Sequence, residues 1–414
     1  MDRRQNVFIV LFVIIILILA GGLYAANVYF ARHIPGGEGL LIPWMGARGF
    51  FTDRSDPYSI EIADATQTLI YGHPAGEGEY PFRYFDPFYV LLLFFPLASI
   101  SDYSVVRGLW LVISEVALIT LLLINIKLTE WRPGRLSLFL YFLFGLFGFY
   151  SLFSLVQGSG AIIFALLFAA ILLSLRRGMD EVAGGLLALI AYRWEISGLF
   201  ITCVFIWILS QRRWRVLVMF LMVLTVLLVV ATIIFPSWPL PFIRAVITNF
   251  HNYQGWNPGE SFKELWPAIG HQLGWILTVT VFGILVLEWR AMRGTIFQRF
   301  LWVTCLTLTA TPLTGIPTNP ANLPIILLPM TLLFSIIEER WAVNGRYYVA
   351  IVLFILSGLW VALLRVDVSG SKYIETIILL PFPLFLLISL YWVRWWGIHP
   401  RKTWTDQIHE SNKR

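Results

Sequence analysis

Charge is what this 414-residue chain has least of: 13% of its residues are charged and 58% are hydrophobic. A soluble domain is about half apolar and about a quarter charged. The shortage therefore excludes an ordinary soluble enzyme and points to a polytopic membrane protein. Cysteine is scarce too. Cys203 and Cys305 both lie in apolar runs without a CxxC or a nearby histidine. That excludes a disulfide framework or zinc site and leaves two small core residues. No Walker loop, GxSxG, zinc-ligand spacing or dinucleotide fingerprint occurs, which argues against ATP hydrolysis and cofactor chemistry. No metal-ligand set is expected, and a need for a divalent ion stays open. Low-complexity segments, internal repeats and a soluble domain of any size are also missing. The net charge of +6 does not point to nucleic acid. Its basic residues sit in short clusters between apolar runs, as they do where a membrane protein sets its orientation.

What the chain does have is apolar runs, and about 20 such residues cross a bilayer. Runs that qualify or nearly do are 7–30, 84–100, 104–126, 136–156, 160–175, 182–192, 197–210, 214–235, 267–287, 300–314, 322–337, 347–364 and 373–393. The first is too long for the core of a signal peptide and reads as a retained helix, held by Arg3 and Arg4 on the cytoplasmic side. Basic loops at 127–135, 176–181, 211–215, 288–299 and 338–346, and the tail 394–414, belong on that side as well. Segments 31–83, the turns near Gln157 and Arg193, and loops 236–266, 312–322 and 365–372 belong on the other. Alternation is regular from residue 127 onward. Before it, one run too many is present, so 84–100 dips in and returns or the basic rule is broken at 127–135. The expectation is an all-α, single integral membrane domain over 1–414, with about twelve crossings and both termini cytoplasmic.

An ionisable residue inside such a run is a functional candidate, since it costs at least ~2.5 kcal/mol on insertion scales. Glu115, in the middle of a span, is expected to bond across helices to Ser114 or Arg107. Arg193 and Glu195 form a capping ion pair or meet a substrate. His251 reads as a surface residue of an interfacial helix, "FIRAVITNFHNY", or as a substrate contact. Loop 312–322, "PLTGIPTNPAN", is too proline-rich for helix and sets Asn319 and Asn322 at the mouth of a span. Aromatics crowd the same face, including Trp44, Tyr58 and Tyr84. An ordinary aromatic belt accounts for some of them, and sugar stacking is the other use for such side chains.

The stretch "WMGARGFFTDRSDPY" (44–58), with "YFDPFYVLLLFFPLA" (84–98) and Trp110 after it, resembles the start of the GT-C glycosyltransferases. The nearest pattern is that of the polyprenyl-phosphate-dependent α-mannosyltransferases. It comprises an acid after helix one, an aromatic before Ala-Ala-Arg, a Pro-Tyr, and a Tyr-Pro-Pro before an apolar run. Trp44, Arg48 and Asp56-Pro57-Tyr58 fill the first elements. "VQGSGAII" keeps Gln157 of a Gly-Gln-x-Asn, and Arg193 stands near the family's lysine. The chain departs from the pattern at Gly39, where the acid is expected and Glu38 is the nearest carboxylate, and in "TPLTGIPTNPANLPIILLP", which lacks the Trp and His. Likeness in order and spacing runs over residues 1 to 340.

The resemblance implies an inverting transfer of a hexose, such as mannose, from a polyprenyl phosphate to an envelope glycolipid, glycan or protein. Glu38 is the first candidate for the base, with Asp56 and Asp86 in reserve. Arg83 and Arg193 are candidate phosphate clamps, because a guanidinium presents paired donors to phosphate oxygens. Trp44, Arg48, Tyr58, Tyr84, Gln157, Glu195, His251, Asn319 and Asn322 are candidate substrate contacts. It also implies a multi-pass protein of a prokaryotic plasma membrane, working on the extracytoplasmic face. A transporter or flippase of lipid-linked sugars, and a non-catalytic membrane subunit, remain as alternatives.

Overall fold

The computed structural model describes residues 3–76, 79–252, 255–363, 376 and 379–399, with 3–13, 16, 249–252, 342, 343, 362 and 363 described in backbone alone. The expected turn 365–372, Tyr253, the tail beyond 399 and the His251 side chain lie outside the described residues.

Among those residues the chain is helical, and its one extended pairing is an isolated antiparallel bridge between Trp256 and Thr318. A 31-residue helix α1 (Arg3–His33) comes first. The polar segment after it folds into α2 (Glu38–Phe51) and α3 (Ile60–Tyr71). The 84–100 run becomes α4 (Phe88–Ala98), 11 residues long. At 1.5 Å per residue it extends about 17 Å, well short of the ~30 Å hydrocarbon core. Trp44 Nε1 and Arg48 Nη1 donate to the carbonyls of Leu97 and Ile100, at 3.0 and 3.2 Å. They close the C-terminal end of α4 onto α2.

Six helical segments among the described residues are long and apolar enough to cross a membrane, which makes this a membrane protein. They are α5 (Tyr103–Thr129), a pair α6 (Arg135–Phe147) and α7 (Phe149–Gln157) broken at Gly148, Trp214–Ile234, Gly270–Ala291, Pro320–Trp341 and Asn344–Val361. Shorter apolar helices accompany them, including α8 (Ala161–Arg176) and α10 (Trp194–Ser210), the latter joined by a tight turn to α9 (Asp180–Ile190).

The Pro320–Trp341 segment is buried almost throughout, whereas Trp214–Ile234 and Gly270–Ala291 show apolar side chains around most of their surface. The first is therefore central and the other two face lipid. Phe297–Ala310, buried from Phe300 onward, lies beside the centre. Its Thr304, Thr307 and Thr309, and Thr311 just beyond it, return their hydroxyls to the carbonyl four residues back, so none is left unpaired in the core. Stacked rings fill the rest: Phe168 on Phe200 at 4.3 Å and Trp207 on Phe300 at 4.2 Å.

Two expectations change. The proline-rich 312–322 segment is partly helical after all, in 3₁₀ turns at Thr311–Leu313 and Pro320–Ile326. Asn319 Oδ1 caps the second turn by accepting from Ala321 N–H at 2.9 Å, and Pro320 sits at the first position, where no N–H is needed. Glu115 bonds neither Ser114 nor Arg107. It accepts from Asn27 Nδ2 at 2.9 Å and so joins α5 to α1.

Candidate functional site

A cavity of about 480 Å³ opens at one end of the bundle. Every polar segment that the sequence assigns to one membrane face and that is described around it contributes a wall. Glu38 enters at the start of α2, Tyr71 at the end of α3, and Tyr80, Phe82, Phe85 and Asp86 from the approach to α4. Gln157 and Ser159 come from the end of α7, Arg193 and Glu195 from the α9–α10 turn, and Gly255, Asn319 and Asn322 from the later loops. The Trp256–Thr318 bridge, with reciprocal N–H···O bonds of 2.8 Å, holds those last two segments side by side.

Glu38 owes its position to what surrounds it. Gly36 and Gly37 have φ of +125° and +93°, a region that L side chains rarely adopt. They turn the chain sharply out of α1. Arg107, only 2% exposed, fastens that turn. Its guanidinium donates to Ile34 O at 2.6 Å, Pro35 O at 3.3 Å and, across the bundle, Val156 O at 3.0 Å. Tyr103 adds a bond to Gly37 O. Gly39 then lies against the Gln157–Ser159 backbone so closely that a Cβ would stand 3.1 Å from Gln157 O. The carboxylate of Glu38 has no hydrogen bond or ion pair among the described residues.

Asp86 is different. It is 6% exposed, and its carboxylate stands 3.7 Å from the Arg193 guanidinium. Burial pushes its carboxyl above the usual range, and the charge and hydrogen bonding of Arg193 pull it partly back. Glu195, on the same turn as Arg193, lines the cavity within its electrostatic reach. Arg193 is thus bracketed by two acids rather than paired with Glu195 alone.

The aromatic wall is built from Tyr71, Tyr80 and Phe82. Phe82 meets Tyr80 edge-on at 5.0 Å and tilts against Tyr71 at 5.5 Å. It holds a left-handed φ of +37°, a conformation that costs a non-glycine residue about 1–3 kcal/mol. Buried Gln67 keeps the segment there. Its Nε2 donates to Pro81 O, and its Oε1 accepts from Ala75 N–H at 2.7 Å.

Of the candidate residues, Glu38, Asp86, Gln157, Arg193, Glu195, Asn319 and Asn322 meet at this cavity. Of the rest, Asp56, Tyr58, Tyr84, Trp44, Arg48 and Arg83 do not line it, and the His251 side chain lies outside the described residues. Asp56 accepts from Tyr58 N–H at 2.9 Å and shapes the turn before α3. Tyr58 donates its hydroxyl to Asp86 O at 2.9 Å, and Tyr84 donates to Pro87 O at 3.1 Å. Both support the Asp86 segment from behind. Trp44 and Arg48 serve the α2–α4 junction, and Arg83 is exposed outside the cavity. Arg107, Gln67 and Phe82 were not singled out for this end. Only Arg107 carries a signal in the sequence, as an arginine near the start of a span. Among the described residues no three His, Cys, Asp or Glu side chains gather closely enough to hold a metal.

The arrangement can accept a proton at Glu38, hold an anionic group at Arg193, and stack a ring on the aromatic wall. Set against protein-family models, curated proteins and solved structures, the chain matches none of them.

Proposed function

We propose that this protein is a membrane glycosyltransferase of the GT-C type, moving a hexose from a polyprenyl phosphate to an envelope glycolipid, glycan or protein. One observation carries the reading: a carboxylate with no hydrogen bond or ion pair among the described residues, an arginine flanked by acids and an aromatic wall share one cavity at an end of an apolar helical bundle. In the reaction, Glu38 takes the proton from the acceptor hydroxyl as that oxygen attacks the anomeric carbon. The bond to the phosphate breaks on the opposite face, and Arg193 stabilises the departing charge. Asp86 orients Arg193. Tyr71, Tyr80 and Phe82 supply the stacking surface for a sugar, and Asn319, Asn322 and Gln157 supply hydrogen bonds to its hydroxyls.

The proposal includes a topology: about twelve crossings, both termini cytoplasmic, and this cavity on the extracytoplasmic side of a prokaryotic plasma membrane. The test is to incubate the purified protein in liposomes with radiolabelled polyprenyl-phosphate hexoses and a membrane-lipid extract as acceptor. Label should leave the polyprenyl phosphate and appear on a new product. Vesicles that instead carry the labelled donor across the bilayer, with no new product, would establish the flippase alternative.

A further inference from the structure

At the opposite end of the bundle lies a second, larger recess of about 760 Å³. α8 begins two residues after Ser159, which lines the first cavity, and ends at Arg176, which lines this one. The 16 residues of α8 alone separate them by about 24 Å, close to the apolar depth of a bilayer. The floor of the recess is apolar: Phe297, Leu301, Leu332 and Ile336. Its rim carries two arginines in different states. Arg176 is engaged, pairing with Glu130 and donating to Leu128 O at 3.0 Å. Arg340 lies with its guanidinium carbon 3.5 Å from the Trp396 ring centroid and 5.3 Å from that of Trp341. No carboxylate or carbonyl accepts its hydrogens among the described residues.

Stacking fixes the plane of a guanidinium while its in-plane N–H groups stay available. The wall behind it is anchored as well. Glu288 takes two bonds from Arg394, at 3.0 and 3.1 Å, and one from Tyr391 at 2.9 Å. Trp392 and Trp395 beside it are exposed, as tryptophans at a membrane interface are.

We propose that this recess seats the phosphate headgroup of an anionic membrane phospholipid. The phosphate bonds to Arg340, and the start of an acyl chain lies over Leu301, Leu332 and Ile336. A small soluble anion would have no use for the apolar floor, and a neutral lipid would have none for a stacked arginine. Residues of the basic segments 127–135, 288–299 and 338–346 line the recess, and basic pockets between helices are where anionic lipids bind.

Native mass spectrometry of the delipidated full-length protein tests this, with phosphatidylglycerol and phosphatidylcholine of matched chains supplied in equal amounts. Wild type should retain phosphatidylglycerol preferentially. Arg340→Gln should lower that retention about fivefold, the effect of one arginine beside an anionic headgroup, and leave phosphatidylcholine unchanged. Arg340→Lys keeps the charge but not the planar stack and should give an intermediate loss. Arg177→Gln, exposed on the same end but outside the recess, should change nothing. Equal retention by wild type and Arg340→Gln, an equal loss in Arg177→Gln, or displacement of the lipid by free glycerol 3-phosphate at matched concentration would each overturn the proposal.

Discussion

Arg193 and Asp86, far apart in the sequence, stand 3.7 Å apart at the cavity. The acid is buried with the arginine as its counter-charge, and that makes the pair a titration probe. Burial raises the Asp86 carboxyl above its ordinary value and Arg193 lowers it. The folded protein therefore holds the proton more readily than the unfolded chain does. Its contribution to stability is complete below the unfolded value and is lost as pH rises through the folded one. Arg193→Gln removes the opposing influence, so Asp86 should stay protonated to still higher pH. Infrared titration of the carboxyl band, assigned by its loss in Asp86→Asn, reads this directly. An unmoved or downward-moved band in Arg193→Gln would show that the two groups are not coupled.

Arg107 carries the turn that presents Glu38. Arg107→Met leaves the carbonyls of Ile34, Pro35 and Val156 without their donors, at about 1–3 kcal/mol for each buried group. The melting temperature should fall, and amide exchange should quicken first over residues 34–40. Exchange that stays slow there while the rest of the protein loosens would place the role of Arg107 elsewhere.

Phe82 holds a strained backbone at the cavity wall. Phe82→Gly removes about 1–3 kcal/mol of strain along with the ring. Its melting temperature should stay near that of wild type, while donor affinity falls because the stacking surface is gone. Unchanged donor affinity would remove Phe82 from the binding site.

Much of this end of the molecule was legible in the sequence, because charges and amides are conspicuous in an apolar chain. Arg193, Glu195, Asn319 and Asn322 stood out as polar groups beside spans, Glu38 only as the carboxylate nearest the acid that the resemblance implies, and charge alternation put their loops on one face. The partners were not legible. Asp86 and Arg193 approach through the packing of α4 against the α9–α10 turn, a long-range fact without a local pattern. Arg48 and Trp44 matched a motif, yet the structure uses them on the carbonyls of Leu97 and Ile100. A spacing pattern cannot separate a residue that holds a helix end from one that touches a ligand. Phe82 and Gln67 act through backbone geometry, which composition does not record.

The grouping of loops can be tested without any substrate. Single cysteines at Ser55 and Gly255 should both react with an impermeant maleimide added to intact cells. One at Gly178, beside the opposite recess, should react only after permeabilisation. Labelling of Ser55 and Gly255 from opposite sides would break the cavity into parts that cannot meet.

Glu38→Gln tests the central claim most directly. The amide keeps the size and hydrogen bonding of the carboxylate but cannot take a proton, and a general base contributes about 10²–10⁴-fold in rate. Transfer of labelled hexose from polyprenyl phosphate and binding of that donor should be measured on the same Glu38→Gln preparation. The account predicts a loss of transfer of about that size with donor binding unchanged. Full transfer by Glu38→Gln would contradict Glu38 as the base, and a wild-type protein that transfers no sugar from any polyprenyl-phosphate donor would contradict the glycosyltransferase reading itself.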